Sequence, residues 1–590
     1  MTAPHPSSAP ARRLALLGLA CALFACAATS FADPPPVPPG PPKETLVGGQ
    51  PVFAAWPKEQ KPDAVLILTG QTFGFLQPCG CSRPQTGGLE RRAVFIDSLK
   101  AKGWPVAGVD LGDLFPEKSA VREQGKLKYL ATMNALREMG YVAVGVGKTD
   151  LTDQRLDMLL GAYAVQKEQR PCTLAGNAIG LGGNGQPIPR LQRFPITPPF
   201  TRPLIDSTEV AEVGSVQVGV AGVVGKALKD EAKKDKFDTS VDFDDTGAAL
   251  KAAVAELGQH KKKPELKVLI YQGSSADAAK VAKDFPQFDV ILCQAGDALP
   301  PLAPQAVPGT NTIIVEVGHK GQHVGVLGAF KNKNGGFDLK YQLVPMTEEY
   351  LEQPGKANKV LDILETYAKS VKAEISLAKD YPRTPHPAQI HAAGLQPKVA
   401  LHYVGSDACK ACHAAEYDQW SKQQKHSHAM DALEKLAKRP SLRQYDGECV
   451  KCHVVGFEHQ TGYADEKLTP QLKHVGCESC HGPGSGHAAT PKDKKLTELL
   501  SLWKQGIPAN TKMPDKAFME EMAKLGPDER GKKAIQPADQ LLINRVSGAC
   551  MKCHDQDNDP HFDIYKYWPK VGHSGLAPAG GWPAVAPKKP

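Results

Sequence analysis

Between residues 64 and 346 the chain alternates short apolar runs with longer stretches in which apolar positions recur every three or four residues. The runs Ala64–Thr69, Val106–Leu111, Val142–Val146, Val216–Val224, Lys267–Tyr271, Val290–Cys293, Thr312–Val317 and His323–Phe330 predict strands. The stretches Gly88–Lys102, Leu127–Met139, Thr152–Lys167, Thr246–Gln259 and Ala276–Phe285 predict helices. Near-continuous apolar strands separated by amphipathic helices predict an α/β domain whose sheet is covered on both faces. Residues 355–380 predict one long polar-rich helix, ended by Pro382. Beyond about Lys398 the strand pattern vanishes, and a mainly α, loop-rich region is predicted.

Composition adds limits. The 590 residues are 41% hydrophobic and 23% charged, which supports packed cores and excludes global disorder. A net charge of +8 over this length is too dilute for the concentrated basic face of a nucleic-acid binder. Arg12-Arg13, the apolar stretch from Leu14 to about Ala28, and Ser30-Phe31-Ala32 predict a secretory signal over 1–32. Leu23-Phe24-Ala25-Cys26 leaves a lipoprotein signal, with a lipid anchor at Cys26, as the alternative. No later segment has about 18 uninterrupted apolar residues, so a bacterial periplasmic or exported protein without a transmembrane helix is expected. The predicted layout is a signal peptide (1–32), a Pro-rich spacer (33–63), an α/β domain (64–348), a helical connector (349–397), a cysteine- and histidine-rich domain (398–576) and a disordered tail (577–590).

The candidate chemistry is densest in that last domain. Cys409-Lys-Ala-Cys412-His413, Cys449-Val-Lys-Cys452-His453, Cys477-Glu-Ser-Cys480-His481 and Cys550-Met-Lys-Cys553-His554 are four C-x-x-C-H motifs. Two cysteines three apart reach the two vinyl groups of one porphyrin, and the adjacent histidine then lies under the iron as proximal ligand. Pairing four C-x-x-C units into zinc ribbons leaves the four histidines unexplained. Four covalently bound haem c groups are therefore expected. The stretch from Cys409 to His573 has 165 residues, too few for a protein-only core among so many loops, so the porphyrins must fill much of it. Twelve of the 18 histidines fall after residue 398, and eight lie outside the motifs: His402, His426, His428, His459, His474, His487, His561 and His573. Four of these suffice for the far sides of four irons, and bis-histidine ligation gives lower potentials than His/Met.

Val404-Gly-Ser-Asp-Ala-Cys-Lys-Ala-Cys-His413, Trp420, Lys425-His-Ser-His428-Ala and Val475-Gly-Cys-Glu-Ser-Cys-His481-Gly-Pro-Gly-Ser-Gly-His487 resemble the tetrahaem cytochrome c family of ammonia-oxidising bacteria, over roughly residues 400–575. The founding member of that family carries electrons away from hydroxylamine oxidation. The resemblance implies haems in near-contact pairs, mostly bis-histidine, with one iron five-coordinate. It implies His428 as cap of the third haem, His487 of the first, and His573 or His561 of the fourth. The second haem has no obvious partner, His474 being the nearest candidate, so exogenous ligands are expected there.

Leu68-Thr-Gly-Gln71-Thr-Phe73-Gly, Gly87-Gly-Leu-Glu-Arg-Arg-Ala93, Val109-Asp-Leu-Gly-Asp113, Met139-Gly-Tyr-Val-Ala-Val-Gly-Val-Gly147 and Asp289-Val-Ile-Leu292 resemble the 5′-nucleotidase-type metallophosphoesterase domain. That resemblance implies an αββα sandwich with a dinuclear metal site at the strand ends. Its ligands are mostly missing. Asp-x-His is replaced by Gln71-Thr-Phe73, Gly-Asn-His-Glu by Gly147-Lys148-Thr149-Asp150, and Gly-His-x-His by Gln294-Ala-Gly-Asp297, while Asp113 survives. Too few imidazoles and carboxylates remain for a two-metal centre, and Lys148 puts a positive charge where a cation belongs. Cys79, Cys81, Cys172 and Cys293 are expected near that edge. Cys79, Cys81 and Cys293 are expected to form a non-haem site, with structural disulfides or buried thiols as the alternative.

Together these features predict an exported tetrahaem electron-transfer protein fused to a non-hydrolytic phosphoesterase-like scaffold. The alternatives are a multihaem oxidoreductase acting on a small nitrogen or sulfur compound at an open haem, and a metal-dependent phosphoesterase with atypical ligands. Removing residues 1–32, which carry Arg12 and Arg13 and no acids, lowers the net charge to +6. Haem propionates lower it further to roughly +2. Redox partner proteins, donor and acceptor, would then dock through local patches such as Lys492–Lys495 and Lys532–Lys533.

Overall fold

The computed structural model describes residues 46–573 apart from 48, 79–82, 153–155, 167–169, 182–185, 187–203, 236, 239, 352–355 and 436–437. The predicted signal peptide, Cys26, the spacer up to residue 45, Cys79, Cys81 and the predicted tail lie outside the described residues. Those from residue 46 onward belong to one compact unit.

Twelve strands build two six-stranded sheets. The first contains β1 (Ala64–Thr69), β2 (Val106–Asp110), β3 (Tyr141–Gly145), β4 (Cys172–Leu174), β11 (His323–Lys331) and β12 (Phe337–Pro345), in the order β12-β11-β1-β2-β3-β4. The second contains β5 (Thr208–Val213), β6 (Val216–Val224), β7 (Leu266–Gln272), β8 (Val290–Cys293), β9 (Gln305–Ala306) and β10 (Ile313–Val315), in the order β9-β10-β8-β7-β6-β5. In each sheet four strands run parallel, β1-β2-β3-β4 and β6-β7-β8-β10, and antiparallel strands complete the edges.

Every predicted strand is present, within about two residues at its ends. The strands not anticipated are edge or very short ones. In β12 the burial alternates, as expected where one side meets solvent, so no continuous apolar run advertises it.

Leu66, Leu68 and Val109 of the first sheet meet Val218, Val220, Val268, Ile270 and Leu292 of the second in a shared core, each residue fully buried. Burying a side chain of this size stabilises by roughly 1.5–3 kcal/mol. Helices α1 (Leu89–Ala101) and α2 (Arg122–Met139) cover the outside of the first sheet, and α3 (Thr246–Gln259) and α4 (Ser275–Asp284) cover the second. The result is the αββα arrangement.

The connector helix, α5 (Lys359–Glu374), is shorter than predicted. Asn358 ends it on one side, its side chain accepting from Val360 N at 3.0 Å. On the other, Ile375 turns extended and buries itself in the core. Helix α5 packs on α2, so it is part of the α/β core: Val360, Leu361, Leu364 and Val371 share one cluster with Leu136 and Met139. That cluster continues into the C-terminal region through Met430, Leu433, Val450, Val454, Val455, Phe457 and Leu472. The C-terminal region itself is made of short helices joined by loops, with only small apolar clusters of its own.

Candidate haem sites

Each C-x-x-C-H motif lies on a tight helical turn. His413 N donates to Cys409 O at 2.9 Å and His554 N to Cys550 O at 3.0 Å. Cys452 N donates to Cys449 O at 3.3 Å, and the third motif is itself the helix Cys477–His481. In such a turn residues three apart share a face, so both thiols of a motif point the same way with the histidine beside them. Among the described residues the eight motif cysteines form no disulfide.

Three motif histidines face a second imidazole. His413 and His487 have ring centres 6.1 Å apart, His481 and His573 5.9 Å, and His554 and His426 6.2 Å. A histidine nitrogen sits about 2 Å from a transition metal it ligates, so two imidazoles on opposite sides of one metal have ring centres about 6 Å apart. Among the described residues no second imidazole faces His453.

Ring hydrogen bonds add an independent test of fit. A ligating histidine donates its other ring N–H to an oxygen, which leaves Nε2 bare for the metal. His481 Nδ1 lies 2.9 Å from Leu500 O, His453 Nδ1 2.6 Å from Ala429 O, and His554 Nδ1 2.8 Å from Asp559 Oδ2. His573 Nδ1 lies 3.2 Å from Val571 O and His487 Nδ1 3.2 Å from Thr497 Oγ1. Donor chemistry, spacing and ring orientation all fit haem iron at these positions.

The structure corrects three ligand expectations. His428 faces His474, not His481, with ring centres 5.9 Å apart. His474 Nδ1 accepts from Met430 N at 3.2 Å, so its proton sits on Nε2 and that nitrogen has no lone pair for a metal. His561 donates towards Pro84 O at 2.9 Å and is held by the α/β domain, away from His554. His573 faces the third motif rather than the fourth. The residue sequence reasoning left unassigned is His426, which faces His554 and whose pKa burial lowers. It was obscured by its neighbour His428, two residues away, and only the exposure of His428 against the partial burial of His426 separates them.

Cysteine contacts order the motifs in space. The Cys409 and Cys477 thiols hydrogen-bond, as do those of Cys452 and Cys553. Cys480 is close enough to Cys550 and Cys553 to feel their charges, which puts the third motif beside the fourth. The spatial order is thus first, third, fourth, second. Glu478, inside the third motif, binds the first and third together: it accepts from Val404 N at 3.0 Å and from Gly405 N and Gly484 N at 2.7 Å.

At the strand ends of the α/β domain the surviving carboxylates are occupied. Asp150 accepts from the backbone N–H groups of Gly147, Asp113, Leu114 and Phe115 at 2.9–3.0 Å. Asp113 accepts from Thr149 N at 2.9 Å and from the Gln294 side chain. Burial raises the pKa of both acids, and the charge of Asp113 beside it helps push that of Asp150 up to about 7. A Cβ on Gly147 would lie 2.2 Å from the Asp113 carboxyl carbon, so the loop closes directly on the acid. Gln71 is locked to Ala295, accepting from its N at 2.7 Å and donating to its O at 3.3 Å.

Gln71, Phe73 and Asp113 hold positive φ angles of 49°, 51° and 58°, an uncommon conformation for side-chain-bearing residues. Lys148 points outward to Glu231 at 2.5 Å instead of into the strand ends, contrary to expectation. Cys293 also departs from expectation. It packs with Ala278, Ala282 and Ile314 on the outer face of the second sheet, and burial pushes its thiol pKa far up, so it is a core thiol and not a ligand at the edge. Cys172 belongs to the inter-sheet core, its Sγ 3.5 Å from Glu209 Oε2. Among the described residues no three His, Cys, Asp or Glu side chains gather to hold a metal ion.

Residues 408–482 match the family described as cytochrome c554 and c-prime. The match spans the first three motifs. Over 123 residues the chain is 38% identical to cytochrome c-554 of Nitrosomonas europaea, covering 18% of this chain and 52% of that protein, so it spans about half the length of this curated relative. Covalently bound haem c follows for this cytochrome c554-like region.

Among solved structures, the sulfate thiohydrolase SoxB of Thermus thermophilus is similar at 17% identity and a TM-score of 0.40, covering 54% of this chain and 63% of that one. A 5′-nucleotidase precursor from the same species is similar at 18% identity and a TM-score of 0.40, covering 62% and 68%. The calcineurin-like phosphoesterase YfkN of Bacillus subtilis is similar at 14% identity and a TM-score of 0.38, covering 52% and 97%. Among the described residues no helix is long and apolar enough to cross a membrane.

Proposed function

We propose that the chain is an exported tetrahaem electron-transfer protein whose α/β domain has become a non-hydrolytic scaffold. One observation carries the reading: three of four motif histidines each face one non-motif histidine at metal-bridging separation, and among the described residues none faces His453. Haem, when bound, supplies one-electron iron chemistry at each of these positions. Cys409, Cys412, Cys449, Cys452, Cys477, Cys480, Cys550 and Cys553 would hold it covalently, and His413, His453, His481 and His554 would ligate from one side.

His487, His573 and His426 would close the first, third and fourth sites. Leu500 O, Ala429 O and Asp559 hold the ring protons that keep the ligand nitrogens bare. Donor and acceptor would be redox proteins, and the N-terminal leader, with or without lipid at Cys26, would deliver the chain to the periplasm. The test is a haem assay with electron paramagnetic resonance on purified holoprotein. Four haems per chain, three low-spin and one high-spin, are expected, and a smaller count sinks the reading.

The non-hydrolytic part rests on Asp113, Asp150 and Gln71 being committed to internal hydrogen bonds. Aryl phosphates and nucleotides should therefore remain uncleaved with added manganese or zinc. His453, which no second imidazole faces among the described residues, favours a second reading, in which a small nitrogen or sulfur compound reacts at the second haem. Sustained turnover of such a compound would establish it.

A further inference from the structure

The second attachment motif begins on the short helix Gly447–Val450, and what holds that helix comes from the other domain. Asp446 caps it, Oδ1 accepting from Glu448 N at 2.9 Å. The same oxygen accepts from Gln124 Nε2 at 2.7 Å, and Oδ2 accepts from the Tyr367 hydroxyl at 3.1 Å. Gln124 Nε2 also donates to the Tyr367 hydroxyl at 3.0 Å. Gln124 Oε1 accepts from the Tyr381 hydroxyl at 2.5 Å, and that hydroxyl accepts from Gly447 N at 3.0 Å. Lys128, one turn along α2, pairs with Glu448. Gln124 is 1% exposed, and both tyrosines are buried.

Gln124 therefore spends both amide hydrogens and one acceptor site of its oxygen on one network. Such a network fixes its members tightly, because breaking any bond leaves a buried polar group without a partner. Displacement of Asp446 passes straight to the motif: Cys449 N and Val450 N donate to Asp446 O at 3.0 and 2.9 Å, and His453 N donates to Val450 O at 2.8 Å. The first and third motifs are braced by Glu478 from within the C-terminal region, and the fourth by Asp559, in a loop that Gln85 and Lys320 of the α/β domain also hold at Asp557 and Asn558. Only the second motif has its capping residue held by α2 and α5, among the described residues.

We propose that Gln124, Tyr367 and Tyr381 are positioning residues for the second haem, so that the α/β domain forms the outer layer of the site where, among the described residues, no second histidine faces the motif. The inference rests on the tetrahaem reading, which the haem count tests separately. Gln124→Met removes the hydrogen bonds at similar volume, and Tyr367→Phe removes one hydroxyl while keeping the ring, so at least one variant retains the fold. Thr132→Val serves as control, since among the described residues the buried Thr132 hydroxyl bonds to Lys128 O within α2 and to nothing else.

Each holoprotein would be assayed for haem content, titrated potentiometrically, and, once reduced, titrated with carbon monoxide. Four haems should remain in every variant. In Gln124→Met or Tyr367→Phe one redox couple should shift and carbon monoxide affinity should change by about tenfold, the scale of outer-layer effects on metal sites. The control should match wild type. Unchanged couples and affinity in both variants, a uniform shift of all four couples, or the same change in the control would overturn the proposal.

Discussion

His426 and His428 stand two residues apart, yet their rings do different things. His426 faces a motif histidine, whereas His428 faces His474, whose Nδ1 is taken by a backbone donor. Substituting His426→Ala should convert the fourth haem from low to high spin without lowering the haem count. His428→Ala should leave the resonance spectrum as it was. A second residue-scale outcome concerns Glu90, at the start of α1. Burial, with no partner for Oε2 among the described residues, pushes its pKa up to about 7.

An unfolded glutamate titrates near 4.3, so between about pH 4.3 and 7 the folded chain binds more protons than the unfolded chain. Stability therefore falls as pH rises through that window and stays lower above it, by at most on the order of 3 kcal/mol. Calorimetric unfolding at pH 5 and pH 8 should show this loss in wild type and its disappearance in Glu90→Gln.

Elements were legible in proportion to how much of their information is local. The central strands β1, β2, β6, β7 and β8 are buried on both faces and read as apolar runs. Edge strands β5 and β12 were not read: β12 is largely half-exposed, and in β5 Thr208, Glu209 and Glu212 interrupt the apolar run. The connector looked like an isolated polar helix because its buried face is a narrow stripe, and that stripe lies against α2. Asn358 fastens this packing as well as capping α5, since its Nδ2 donates to Glu90 O at 2.9 Å. Asn358→Ala should lower the stability of the holoprotein by about 1–2 kcal/mol, seen as a lower calorimetric midpoint.

For the molecule as a whole, the two regions depend on different sources of order. The α/β domain has a continuous apolar core between its sheets, whereas the C-terminal region shares part of that domain's outer cluster and has only small clusters of its own. Chain made without haem attachment should therefore keep a protease-resistant fragment ending near residue 380, while everything beyond about 398 is digested. Holoprotein should resist cleavage in both parts. Survival of the C-terminal region without haem would show that its protein core suffices.

Sequence alone marked the eight candidate thioether cysteines and four candidate proximal histidines, because a thiol pair and its histidine need only the geometry of one turn. It also identified the α/β layering, since strand and helix periods are local properties. What tertiary structure decided is which histidine faces which motif, that Cys293 is turned into the core, and that Gln124, Tyr367 and Tyr381 grip the second motif. These pairings join residues far apart in the chain, and nothing in spacing encodes them: chain path and packing bring the groups together, and burial then makes each partner obligatory.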